Sequence, residues 1–115
     1  MPKISKKQGR DNITLNVDWD VLVFYGDANI ALIFSNLKFW IKHNEVNGRN
    51  FHQERHWTYN SARAFSEQFP FFSQFQIARM LRKLEKDKWI VSGNFNKLWK
   101  DQTKWYALGD RYNEK

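Results

Sequence analysis

The chain contains no cysteine, which excludes disulfides and thiolate metal sites. Its five glycines are scattered, so there is no glycine-rich loop to cradle a nucleotide phosphate. No apolar run approaches the ~20 residues that a membrane-spanning helix needs, and the N-terminus lacks the apolar stretch of a signal peptide. A cytoplasmic protein without a membrane partner is therefore expected. Nothing resembles a nucleophile beside its base, or a carboxylate pair set up as acid and base, so neither an enzyme nor a cofactor is expected. His52, Glu54 and His56 come nearest to a metal cluster, but they stand in a loop with no matching group elsewhere. A metal site needs three or four convergent ligands, so no metal is expected.

What is present is aromatic and basic. Ten Phe, six Trp and four Tyr in 115 residues supply a bulky core for one domain. The net charge of +7 is unevenly spread. Residues 1–10 carry four basic groups and no acids, residues 11–72 carry five basic and seven acidic groups, and residues 73–104 carry eight basic and three acidic groups. Positive charge thus gathers at the N-terminus and in one later stretch, which is the footprint of a phosphate-binding surface or of a solvated basic face.

In chain order, residues 1–12 with Lys3, Lys6, Lys7 and Arg10 read as a flexible basic tail. From Ile13 to Val21 apolar and polar residues alternate strictly, which predicts a half-buried strand. Val21 to Tyr25 is a continuous apolar run expected to pack under the next helix. Asp27 is an N-cap for a helix from Ala28 to about His43, with Ile30, Ile33, Phe34, Leu37, Trp40 and Ile41 on its core face. Leu32 and Phe39 fall on the opposite side, facing the N-terminal strand or a second protomer. Asn47-Gly48-Arg49-Asn50 is a turn signal inside an exposed loop or hairpin.

Residues 57–106 organise the rest. A β-prone run, Trp57-Thr58-Tyr59, leads to Asn60, an N-cap for a helix with Ala62, Phe65 and Phe69 on one face. Pro70 stops that helix. Ser73 opens another, reaching about Lys88, whose buried face is Ile77, Met80, Leu81 and Leu84. At about 100° per residue, Phe75, Arg79, Arg82 and Lys86 form the opposite stripe, flanked by Gln76 and Lys83. Trp89-Ile90-Val91 and Lys104 to Leu108 read as strands around a polar loop, and residues 111–115 as a tail. This order predicts an α+β fold, a winged helix-turn-helix of three helices and a small antiparallel sheet over residues 13–110, with an extra N-terminal strand and the 93–104 loop as the wing.

Several segments, Trp57-Thr58-Tyr59-Asn60, Phe69-Pro70-Phe71-Phe72-Ser73, Lys83-Leu84-Glu85-Lys86, Gly93-Asn94-Phe95-Asn96-Lys97 and Asp101-Gln102-Thr103-Lys104-Trp105-Tyr106, carry a resemblance that spans roughly residues 27–109. The chain resembles the N-terminal winged-helix domains of replication initiator, or replisome-organiser, proteins of phages and plasmids. That resemblance implies binding to double-stranded DNA at a replication origin, with a following segment that recruits a helicase or its loader. Since the chain ends seven residues after Leu108, it is expected to be either an excised domain or a complete small protein.

The candidate DNA contacts follow from chemistry and position. Gln74, Gln76 and Arg79, in the N-terminal half of the second helix, are base-reading candidates, because Arg matches guanine and Gln matches adenine bidentately. Arg82, Lys83 and Lys86 lie nearer the phosphates, as do Lys97, Lys100 and Lys104 in the wing. The alternative is a solvated face on which Glu85 and Asp87 pair locally. Three roles stay open for Phe75: touching a thymine methyl, folding back on Phe71 or Phe72, which is the expected one, or anchoring a protein partner. Phe95 and Trp99 either stack on bases or pin the wing to the body, and Asp101 with Thr103 organises the loop. A transcriptional regulator of a mobile element is the nearest alternative function. A further class is a mobile-element protein that inhibits a host protein or nucleoprotein complex, such as a restriction or CRISPR effector, and a homodimer is open in each case.

Overall fold

The computed structural model describes residues 17–59, 62–101 and 103–113. Its scaffold is helix α2, Ala28–Val46. Asp27 caps it as expected, its carboxylate accepting from the Asn29 N–H at 2.8 Å. Ile30, Ile33, Phe34, Leu37 and Ile41 are buried, whereas Trp40 is half-buried at the edge of that face. The helix runs past the expected end at His43 because Asn47 closes it, donating from its side-chain amide to the His43 carbonyl at 2.8 Å.

The segment before α2 departs from expectation. Residues 1–16 lie outside the described residues, so the basic tail and the start of the predicted strand are not seen, but Trp19–Tyr25 is a helix, α1. Asp18 decides this locally: its carboxylate accepts from the Val21 N–H at 3.0 Å, and its own N–H donates to Ser35 Oγ at 2.6 Å on α2. An ion pair to Lys38 fixes the same carboxylate, which is buried. A capped turn with Asp20 in it satisfies the first N–H groups and suits the positive end of the helix. Val21, Leu22 and Tyr25 then turn inward together at helical spacing. Gly26, at φ 62°, ends the helix in the left-handed region.

After α2 come two short hairpin strands, β1 (Phe51–His52) and β2 (Arg55–His56), paired antiparallel. Gln53 and Glu54 between them both have positive φ, 50° and 63°, the backbone of a two-residue hairpin turn that usually selects Asn and Gly. Strand β3, Thr58–Tyr59, leads to α3, Ala62–Gln68. The Asn60 cap and the Ala62 side chain lie outside the described residues; Phe65 and Phe69 are buried as expected. Pro70 follows the helix end, and α4 runs from Gln74 to Lys86 with Ser73 as N-cap.

Strands β4 (Ile90–Gly93) and β5 (Trp105–Leu108) complete a three-stranded antiparallel sheet in the order β3-β5-β4, with Thr58 opposite Tyr106 and Ile90 opposite Leu108. Alternation along β5 splits the core. Tyr106 and Leu108 join the main cluster with α2, α3 and α4, while Trp105 and Ala107 join Trp57, Val91 and Phe95 in a second one. Burial raises the Tyr106 phenol to about 12, and Glu85 pushes it the same way. The expected tail begins as a helical turn, α5 (Asp110–Asn113), held by Arg111 Nε donating to the Asp87 carbonyl at 2.6 Å. The expected α+β class holds, with five helices among the described residues rather than three.

Candidate nucleic-acid interface

Helix α4 presents its candidates because its other face is occupied. Ile77, Met80, Leu81 and Leu84 are all buried, each worth ~1.5–3 kcal/mol of transferred side chain, so the helix cannot roll. Its start is set by a reciprocal cap: the Gln76 N–H donates to Ser73 Oγ at 3.1 Å, and the Ser73 N–H donates to Gln76 Oε1 at 2.8 Å. Gln74, Gln76, Arg79, Arg82, Lys83 and Lys86 are accordingly all exposed.

The four cations of this helix share one shallow depression, lined by Arg79, Arg82, Lys83, Glu85 and Lys86. Among the described residues no ion pair engages any of them. The two acids expected to pair locally accept other hydrogen bonds instead. Glu85 accepts from Ser92 Oγ at 2.6 Å, and Asp87 accepts from the Tyr25 hydroxyl at 2.6 Å. Burial and that bond to Asp87 both raise the Tyr25 phenol, so it stays protonated and continues to donate. The Lys83 ammonium sits 5.7 Å from the centre of the Tyr25 ring, a cation–π contact.

Gln76 has a constraint the sequence did not reveal. Its carbonyl is committed to the cap, so bidentate pairing with adenine would cost the bond to Ser73. Gln74 and Arg79 have no such commitment among the described hydrogen bonds. Asp27 and Asn29, at the start of α2, line a recess with Gln76, Arg79 and Lys83, and sequence reasoning had placed neither of them in the site. The available signal was Asp27 as a cap, since a helix start exposes N–H groups, but only the packing of α2 on α4 brings it beside Arg79.

The β4–β5 loop carries the second group. Lys97, Lys100 and Lys104 are exposed. Its stem is held by Asn96, whose side chain donates to the Asp101 and Thr103 carbonyls at 3.0 and 2.8 Å and accepts from Trp105 Nε1 at 2.8 Å. The Thr103 N–H donates to Asp101 Oδ1 at 3.0 Å, and this bond holds the Asp101 carboxyl below its ordinary range. The expected role of Asp101 and Thr103 is thus met, while Asn96, which does more, was not anticipated.

The three aromatics divide. Phe95 pins the loop, stacked on His52 with ring centres 4.4 Å apart and set edge-on to Trp57 and Trp105. Trp99 does not pin it, being 85% exposed beside Leu98 at 72%. Phe75 is likewise 85% exposed, which overturns its expected fold-back: Phe71 and Phe72 pack on each other and on Phe69, and the capped helix aims residue 75 to solvent. His52 thus has an aromatic role, and the His56 Nδ1–H donates to the Arg49 carbonyl at 2.9 Å. Leu32 packs on the core, while Phe39 is 60% exposed and lies edge-on to Trp40.

No helix among the described residues is long and apolar enough to cross a membrane. Compared with known proteins, the chain matches no family model, no curated protein and no solved structure.

Proposed function

We propose that the chain is a winged helix-turn-helix protein that binds double-stranded DNA, with α4 as the recognition helix and the 93–104 loop as the wing. The element order from α2 through β3, α3, α4, β4 and β5, with β5 central in the sheet, supports that assignment. The observation that carries the binding reading is the exposed cationic face of α4, free of ion pairs among the described residues, whose own acids are engaged by Ser92 and Tyr25. Uncompensated cations on a rigid helix release counterions from a polyanion at little cost in ordering. Arg79, nearest the start of the helix, reads a base; Arg82, Lys83, Lys86, Lys97, Lys100 and Lys104 contact phosphates. The resemblance to phage and plasmid initiators makes a replication origin the first DNA to test.

Titration with duplex DNA over a range of salt concentrations tests this. Affinity should fall by about 0.9 log unit per log unit of salt for each phosphate contacted. A flat response would abandon the DNA reading. Arg79→Ala should weaken binding to a cognate site by ~1–3 kcal/mol, and an equal loss on all sequences would reassign Arg79 to the backbone. Repeated sites in an origin rather than over a promoter would separate replication from transcriptional control.

A second reading, capture of a host protein, is favoured by Phe71 and Phe75, both exposed at the entry to α4. It requires Phe75→Ala to abolish partner binding while DNA affinity is unchanged.

A further inference from the structure

The tip of the 93–104 loop puts its two large apolar side chains in water. Leu98 is 72% and Trp99 85% exposed, on a turn closed by the Asp101 N–H donating to the Leu98 carbonyl at 3.0 Å. Exposed apolar groups at a loop tip are ordinarily unremarkable, but this tip is mounted on a braced stem. Asn96 ties both sides of the loop together, and Phe95 is locked among His52, Trp57 and Trp105. The stem that carries the tip is therefore held before any partner arrives, which lowers the entropy lost on binding.

The surrounding charge selects the partner. Lys97 and Lys100 flank the pair, Lys104 stands just before β5, and the Lys100 ammonium lies 5.5 Å from the Trp99 ring centre. Lysine is depleted from protein–protein interfaces, and two apolar residues bury too little surface for a membrane anchor. Aromatic rings among lysines instead match a polyanion whose units carry flat, stackable faces. In an intact duplex each base face is already covered by its neighbour, so an indole reaches one only where a step is opened.

Resting on the DNA reading above, we propose that Leu98 and Trp99 form a wedge that stacks on a base at an opened step, so that the protein prefers locally unpaired duplex to fully paired duplex. Lys97 and Lys100 hold the phosphates on either side of that step.

The test compares two labelled duplexes of the same sequence, one fully paired and one with a short central bubble, binding to the wild type, Trp99→Ala and Trp99→Phe. Thymine reactivity to permanganate reports opening of the paired duplex. The wild type should favour the bubble about tenfold, the size expected for stacking one base on an aromatic ring. Trp99→Ala should lose that preference and the permanganate signal while keeping its affinity and salt slope on the paired duplex; Trp99→Phe should retain part of both. Matching melting curves for the three proteins establish that they are folded. Equal wild-type affinity for the two duplexes, or a preference that survives Trp99→Ala, overturns the wedge and leaves duplex binding standing. Trp99-dependent binding to anionic vesicles without any bubble preference overturns it in favour of a membrane surface. Absence of binding to either duplex removes the DNA reading and the wedge together.

Discussion

Helix α4 and the β4–β5 loop carry charge of the same sign and are built in opposite ways. On α4 the cations stand out because Ile77, Met80, Leu81 and Leu84 are buried behind them, so hydrophobic packing sets their direction. The loop has one inward ring, Phe95, and depends otherwise on directed hydrogen bonds that Asn96 donates and Asp101 accepts. Packing spreads its stabilisation over many contacts, whereas a hydrogen-bonded loop concentrates it in one or two side chains. The two regions should therefore fail differently.

The largest effect is expected behind α4. Leu84→Ala leaves a cavity at a fully buried position and should cost ~2–5 kcal/mol, read as a lower denaturation midpoint for the whole domain. If only the loop loosened, the contrast between the two constructions would be wrong. Next comes Asn96→Ala, which strips the partner from Trp105 Nε1 and frees two loop carbonyls. A cost of ~1–3 kcal/mol follows from orphaning such groups. Its mark should be accelerated amide exchange in residues 94–104 with little change in α4; equal acceleration in both would unite them in one cooperative unit.

Ser73→Ala should remove ~1 kcal/mol through loss of the cap. The main-chain N–H of residue 73 still donates to Gln76 Oε1 in this variant, so base preference, measured with duplexes differing at single positions, should be unchanged. The smallest effect belongs to Asp101. Its folded carboxyl titrates below the ordinary value because it accepts from Thr103, so the loop's stabilisation is full above the ordinary carboxylate range and fades as pH falls through the lowered folded value. The Thr103 amide shift, followed through acid titration, should move with that carboxyl, and Asp101→Asn should abolish the dependence.

Where sequence reasoning succeeded, a period or a cap dominated. The apolar face of α4, the Asp27 and Ser73 caps and the Pro70 break are local rules that tertiary contacts reinforced. The alternation expected to run to Val21 misled over Trp19–Val21, because a stretch so short fits a period of two as well as a helical one; Asp18, bonded to Val21, Ser35 and Lys38, selected the helix over Trp19–Tyr25. The β1–β2 hairpin turn has Gln53 and Glu54 where Asn and Gly would have signalled it, so it could be read only as a loop or hairpin.

Composition and periodicity determined the α+β class, the capped α4, its buried face and the cationic stripe opposite, because a helix converts spacing directly into direction. They did not decide which of the aromatics Phe75, Phe95 and Trp99 would be spent on packing. Only tertiary structure did that, by bringing His52, Trp57 and Trp105 around Phe95 and, among the described residues, nothing comparable to Phe75 or Trp99. Burial of a loop or surface ring depends on what distant segments deliver to it, and no local pattern encodes that.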